Sequence, residues 1–63
     1  MDVVYSKNIF FQIDQGSGYW QTVTTSSNAT GQVVSWKLQD LKKSWPNHRV
    51  RAITNVGRLI DIL

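Results

Sequence analysis

The chain has no cysteine among its 63 residues. Disulfides and thiolate metal sites are therefore excluded, and the absence fits a reducing cytoplasm. It has one histidine, His48, and its only acidic residues are Asp2, Asp14, Asp40 and Asp61, with no two at ligand spacing. That leaves a structural metal without a ligand set, and neither a metal nor a cofactor is expected. No apolar run approaches the ~20 residues of a membrane span. The opening Met1-Asp2-Val3-Val4-Tyr5 lacks the basic-then-apolar order of a signal peptide. The expectation is a cytoplasmic protein with no membrane partner.

Catalytic patterns are also missing. Gly16-Ser17-Gly18 sets a serine between glycines, but no phosphate-loop lysine follows and no nucleophile elbow is complete. His48 stands just before a strand with no assignable acid partner for general-base work. Asp14 and Asp61 become a carboxylate pair only if the first and last strands adjoin. No catalytic residue is named, and the chain is not read as an enzyme.

Residues 1–63 make one domain at most. A chain this short buries only about 60% of its unfolded surface, and such domains lean on disulfides, metals or self-association. With the first two removed, self-association remains. The net charge is +3, from Lys7, Lys37, Lys42, Lys43, Arg49, Arg51 and Arg58 against the four aspartates. A mild excess of this sign permits an acidic partner such as nucleic acid, but it is ordinary for a small domain, and the ordinary reading is preferred.

What is present is alternation and one helical stripe. The last nineteen residues, 45–63, run from Trp45-Pro46 through two Val/Ile/Leu-rich segments parted by Asn55-Val56-Gly57. Pro46, the only proline, stops the preceding helix, and a hairpin follows. Residues 8–14 form a strand with Ile9, Phe11 and Ile13 on one face and Phe10 and Gln12 on the other. Gln15-Gly16-Ser17-Gly18 is a turn, and residues 19–25 form a second strand. Ser26, Ser27, Asn28 or Thr30 caps a helix. Asn28-Ala29-Thr30 matches a glycosylation sequon but is read as that helix start. Over residues 33–45, Val34, Leu38, Leu41 and Trp45 make an apolar stripe, with Lys42 and Lys43 suited to the last turn. Gly31 marks either close backbone contact or a later helix start. The fold class is α+β: ββαββ, a four-stranded, mainly antiparallel sheet with one helix on one face.

In the final hairpin Val50, Ala52, Ile60 and Ile62 are assigned inward, and Arg49, Arg51 and Ile53 outward, with an Arg51–Asp61 cross-strand pair. Leu59 and Leu63 are left on the outer face. The candidate site is the sheet face remote from the helix, carrying Phe10, Gln12, Trp20, Thr22, Thr24, Arg49 and Arg51. Its key residues are Phe10, Trp20, Arg49, Arg51, Leu59 and Leu63. Aromatic rings beside arginines suit single-stranded nucleic acid. An uncovered sheet face with two large aromatics needs a cover, and self-association or protein binding is the reading preferred over nucleic acid or mere surface; the Gly-aromatic signature of sheet-type RNA readers is missing. A second basic cluster, Lys37, Lys42, Lys43, His48 and Arg49, reads as phosphate contacts or, more simply, as a solvated helix end. Trp36 lies off the stripe and is read as core edge, with an exposed interface anchor as the other reading.

Residues 42–53, then Gly57-Arg58-Leu59-Ile60-Asp61, and Gly-Tyr-Trp-Gln-Thr-Val at 18–23 resemble small uncharacterised open reading frames of bacteriophages and prophages. The resemblance implies a bacterial or phage cytoplasmic setting. It implies no activity and brings no functional residue. The reading of the chain is a small non-enzymatic binding module, a self-associating phage- or prophage-type accessory protein that contacts a protein partner. The alternative is a nucleic-acid binder using Phe10, Trp20, Arg49 and Arg51.

Overall fold

The structure, a computed structural model, describes residues 4–5, 8–16, 18–27 and 29–63. Ser17 of the expected glycine turn and Asn28 of the sequon lie outside the described residues. The elements in order are β1 (Val4–Tyr5), β2 (Ile9–Asp14), β3 (Trp20–Ser26), β4 (Ala29–Thr30), α1 (Gly31–Ser44), β5 (Val50–Thr54) and β6 (Leu59–Ile62). The main sheet has the order β3-β2-β5-β6, antiparallel throughout, so the expected ββαββ arrangement is the one observed. The short strands β1 and β4 form a separate antiparallel pair. Two residues carry no periodicity, and this pair had no sequence signal.

β2 is central, with β3 on one side and β5 on the other. Side chains alternate across a strand, so Ile9, Phe11 and Ile13 all face one way. They are fully buried with Val50 and Ala52 of β5 and with Val34 and Leu38 of α1. Val33, Leu41 and Ile60 pack against that cluster. The helix thus covers one face of the sheet.

The helix begins two residues earlier than its spacing suggests. Thr30, in extended conformation, is the N-cap, and its hydroxyl accepts a hydrogen bond from Val33 N–H at 3.3 Å. Gly31 is the first helical residue, and a Cβ there would meet nothing within 4 Å. Neither expected reason for Gly31 therefore holds. At the other end, Trp45 N–H reaches Leu41 O at 2.9 Å and Pro46 ends the helix, since the residue before a proline is pushed out of the helical region. Trp45 is not core: it stands edge-on to His48, ring centroids 5.5 Å apart. Trp36 is 56% exposed, which corrects its reading as core edge. At two positions from both Val34 and Leu38, the residue lies on a different side of α1 from those two buried residues.

Two β-bulges change the faces. Phe11 pairs with Thr24 but Gln12 pairs with Thr22, so Val23 is an extra residue in β3. One inserted residue reverses the alternation beyond it. Thr24, expected on the open face, lies on the helix side, where it lines a hollow with Lys37 and Leu41. Thr25, opposite Phe10, takes its place. In β6 the extra residue is Ile60, because Ile53 pairs with Leu59 and Ala52 with Asp61. Ile60 is inward as expected, but Ile62 stands opposite Arg51 and Asp61 opposite Ala52. Directly opposed residues share a face. Ile62 is therefore on the open face, and the expected Arg51–Asp61 pair does not form. Leu63 exchanges both backbone hydrogen bonds with Val50, at 2.8 and 3.3 Å. This places Leu63 on the helix side rather than the outer face. Asp14 and Asp61 are separated by β5 and are not a carboxylate pair.

The core assignment predicts a contrast between two helix residues. Leu38→Ala should lower unfolding free energy by about 2–5 kcal/mol through transfer and cavity terms. Trp36→Ala should stay within about 0.5 kcal/mol. Denaturant midpoints of the two variants check this, and equal losses would return Trp36 to the core.

Candidate functional site

The face of the sheet opposite the helix is built by the alternate residues of the same strands. Cross-strand pairing sets them in rows. Trp20 pairs with Asp14, and Asp14 N–H donates to Arg49 O at 2.9 Å. The next row runs Thr22, Gln12, Arg51, Ile62, and the next Thr25, Phe10, Ile53, Leu59. Of the residues named from sequence, Phe10, Trp20, Arg49, Arg51 and Leu59 are brought together on this face, and Leu63 is not. Phe10, Trp20, Arg51, Ile53 and Ile62 are half-buried, and Leu59 is exposed. No described residue outside the sheet lies over them in the core cluster, whose members all belong to the helix side.

The centre of the face is organised by Gln12. Its amide nitrogen donates to Thr22 Oγ1 at 3.0 Å. Its amide oxygen accepts from Arg51 Nε at 2.8 Å. The Arg51 guanidinium then lies over the Trp20 ring, Cζ 4.1 Å from the centroid, close enough for a cation–π attraction. Together these neighbours leave Gln12 only 9% exposed. A buried amide is costly unless both of its ends find partners, and here both do. Gln12 was legible as a residue of this face but not as its organiser, because its partners sit ten and thirty-nine residues away in the chain.

The second basic cluster is dispersed. Lys42 Nζ donates to His48 O at 2.6 Å, tying the helix end to the loop before β5. His48 Nδ1 is buried with no hydrogen-bond partner among the described residues. His48 also lines a hollow of about 300 Å³ with Asp14, Gln15, Gly16, Asn47 and Arg49. Among the described residues no three His, Cys, Asp or Glu side chains converge as metal ligands, and no helix is long and apolar enough to cross a membrane.

Replacing Gln12 by alanine should cost about 1–3 kcal/mol, because Thr22 and Arg51 lose a partner at a site largely shielded from water. Gln12→Glu keeps the acceptor for Arg51 and should cost less. Urea titrations read the order, and an alanine variant as stable as the parent would show that the network holds nothing in place. Comparison of the chain with protein-family models, with curated proteins and with solved structures finds no match.

Proposed function

We propose that this protein is a small non-enzymatic binding module that self-associates and contacts a protein partner through the open face of its sheet. The observation that carries the reading is the mixed surface of that face. Phe10, Ile53 and Leu59 form an apolar end, Trp20, Arg51 and Arg49 form a polar, cationic end, and Ile62 stands beside Arg51 between them. A domain of this size has little core to spare, so covering apolar sheet surface with a second copy adds stability that the monomer lacks. The edges suit this role less well. Both edge strands, β3 and β6, are bulged, and bulges blunt the template that an edge offers to another chain. Self-association is accordingly assigned to the apolar end of the face and partner contact to the Trp20–Arg51 end. The likeness of residues 42–53 and 57–61 to phage and prophage open reading frames supports a phage-type accessory role in a bacterial cytoplasm.

The nucleic-acid reading has one observation in its favour, the two arginines that share a face with Trp20. Against it, the ring face of Trp20 that a base would stack on is occupied by Arg51.

Sedimentation at micromolar concentration should show a dimer or larger species, and Leu59→Glu should return it to monomer without unfolding it. A parent chain that runs only as a 7.2 kDa monomer would remove self-association. Oligonucleotide binding that weakens steeply with salt, through counterion release, would favour the nucleic-acid reading instead.

A further inference from the structure

We infer that the Gln12–Arg51–Trp20 cluster is a preset carboxylate receptor for an extended acidic segment of the protein partner. This rests on the reading of the open face as a docking surface. Arg51 spends its Nε–H on Gln12 Oε1 and its planar face on Trp20. Its terminal Nη groups have no hydrogen-bond partner among the described residues. A guanidinium held in this way has already lost its side-chain freedom on folding. The entropy normally spent in binding is therefore reduced, and the remaining fork matches a carboxylate bidentately.

Arg49 lies two residues away, just before β5, where its carbonyl accepts from Asp14 N–H and continues the ladder, about 6.6 Å along the chain. An extended peptide repeats at the same spacing, so carboxylates at its positions i and i+2 fall over Arg51 and Arg49. The two sites are unequal. Asp14 shares the row of Arg49, and although its Oδ1 accepts from Gly16 N–H at 2.8 Å, it keeps a negative charge beside any anion bound there. Arg51 has no acidic neighbour in its row, which runs through Thr22, Gln12 and Ile62. The dominant contact is therefore at Arg51.

Charge placement selects a peptide over a polyphosphate. Lys37, Lys42 and Lys43 belong to α1, on the other side of the sheet. Among the described residues the open face therefore offers Arg51, Arg49 and Asp14, not a continuous basic track. Of the two aromatics a nucleic acid would use there, Phe10 and Trp20, the ring face of Trp20 is covered by Arg51 itself.

The test is an NMR titration of the full chain with a β-prone peptide carrying Glu-Thr-Glu, its Gln-Thr-Gln counterpart, and oligothymidylate. The expected result is a saturable shift of the Trp20 indole N–H and the Arg51 Nε–H with the Glu peptide. Affinity should fall about tenfold or more for the Gln peptide, as the loss of charge-assisted hydrogen bonds implies. Arg51→Lys, which keeps the charge but loses the fork, should weaken binding similarly. Gln12→Glu, which sets a carboxylate beneath the guanidinium, should weaken it as well. Core methyl signals report whether each variant remains folded. Equal binding of the two peptides, undiminished binding by Arg51→Lys, or no shift with the Glu peptide up to about 1 mM, an affinity of only some 4 kcal/mol, overturns the inference. So does a response to oligothymidylate alone, which moves the anion from carboxylate to phosphate. Sedimentation of the same samples separates the two failures: a dimer that ignores the peptide sinks the receptor and leaves the binding module standing.

Discussion

The structure depends on the alternation of one strand. β2 is hydrogen-bonded on both sides, to β3 and β5, so its six side chains divide strictly between two faces. Ile9, Phe11 and Ile13 supply the floor on which Val34 and Leu38 of the helix sit. Phe10, Gln12 and Asp14 supply the middle of the open face. Core and candidate site are therefore two sides of the same ribbon. A slip of one residue would exchange them, placing Gln12 under the helix and Phe11 in water. β5, flanked by β2 and β6, divides its side chains in the same way, but it supplies two fully buried residues to the core against three from β2.

Gln12 reinforces that register with polar geometry. Hydrophobic burial is non-directional and tolerates small displacements of strands. The amide of Gln12 does not: its nitrogen must meet Thr22 and its oxygen must meet Arg51. Only one relative placement of β3, β2 and β5 satisfies both contacts. A fully satisfied, largely buried polar group discriminates against near-native alternatives more sharply than another aliphatic residue would. The same contacts fix Arg51 on Trp20, so the constraint that selects the register also shapes the cationic end of the face.

The parts of this architecture that were legible in the sequence are those with contrast between neighbouring positions. Ile-Phe-Phe-Gln-Ile-Asp at 9–14 alternates clearly enough to assign both faces of β2. Val34, Leu38 and Leu41 show the helical step, and Pro46 marks its end. The bulges had no such contrast. Thr22-Val23-Thr24-Thr25 has a single apolar residue, which cannot show a change of phase, so the insertion at Val23 leaves no trace, and Thr24 was placed on the wrong side. Leu59-Ile60-Asp61-Ile62-Leu63 is apolar at every position but one, and its alternation could be started on either face. The pairing with β5 decided the matter, through a bulge at Ile60 that put Ile62 out and Leu63 in. Trp36 failed for a related reason: a single large apolar residue beside a helical stripe gives no indication of whether a strand extends far enough to cover it.

The distribution of charge follows from the same two-sided plan. The lysines of α1 lie on the outside of the helix layer, and Lys42 is committed to the His48 carbonyl as a brace at the helix end. Arg51 lies on β5 and Arg49 just before it, on the opposite side of the sheet. An approaching anion therefore meets two separate, weak basic regions rather than one strong one, and long-range attraction falls off within about 10 Å at ordinary salt. Under those conditions net charge selects few partners. Selectivity has to come from a group that is already oriented, and the open face has one such group, the Arg51 guanidinium held between Gln12 and Trp20. The apolar residues beside it, Phe10, Ile53 and Leu59, then act by excluding water around that contact, which strengthens it. A central strand that commits half its side chains to the core and half to an organised polar cluster lets so small a domain have both a stable interior and a specific surface.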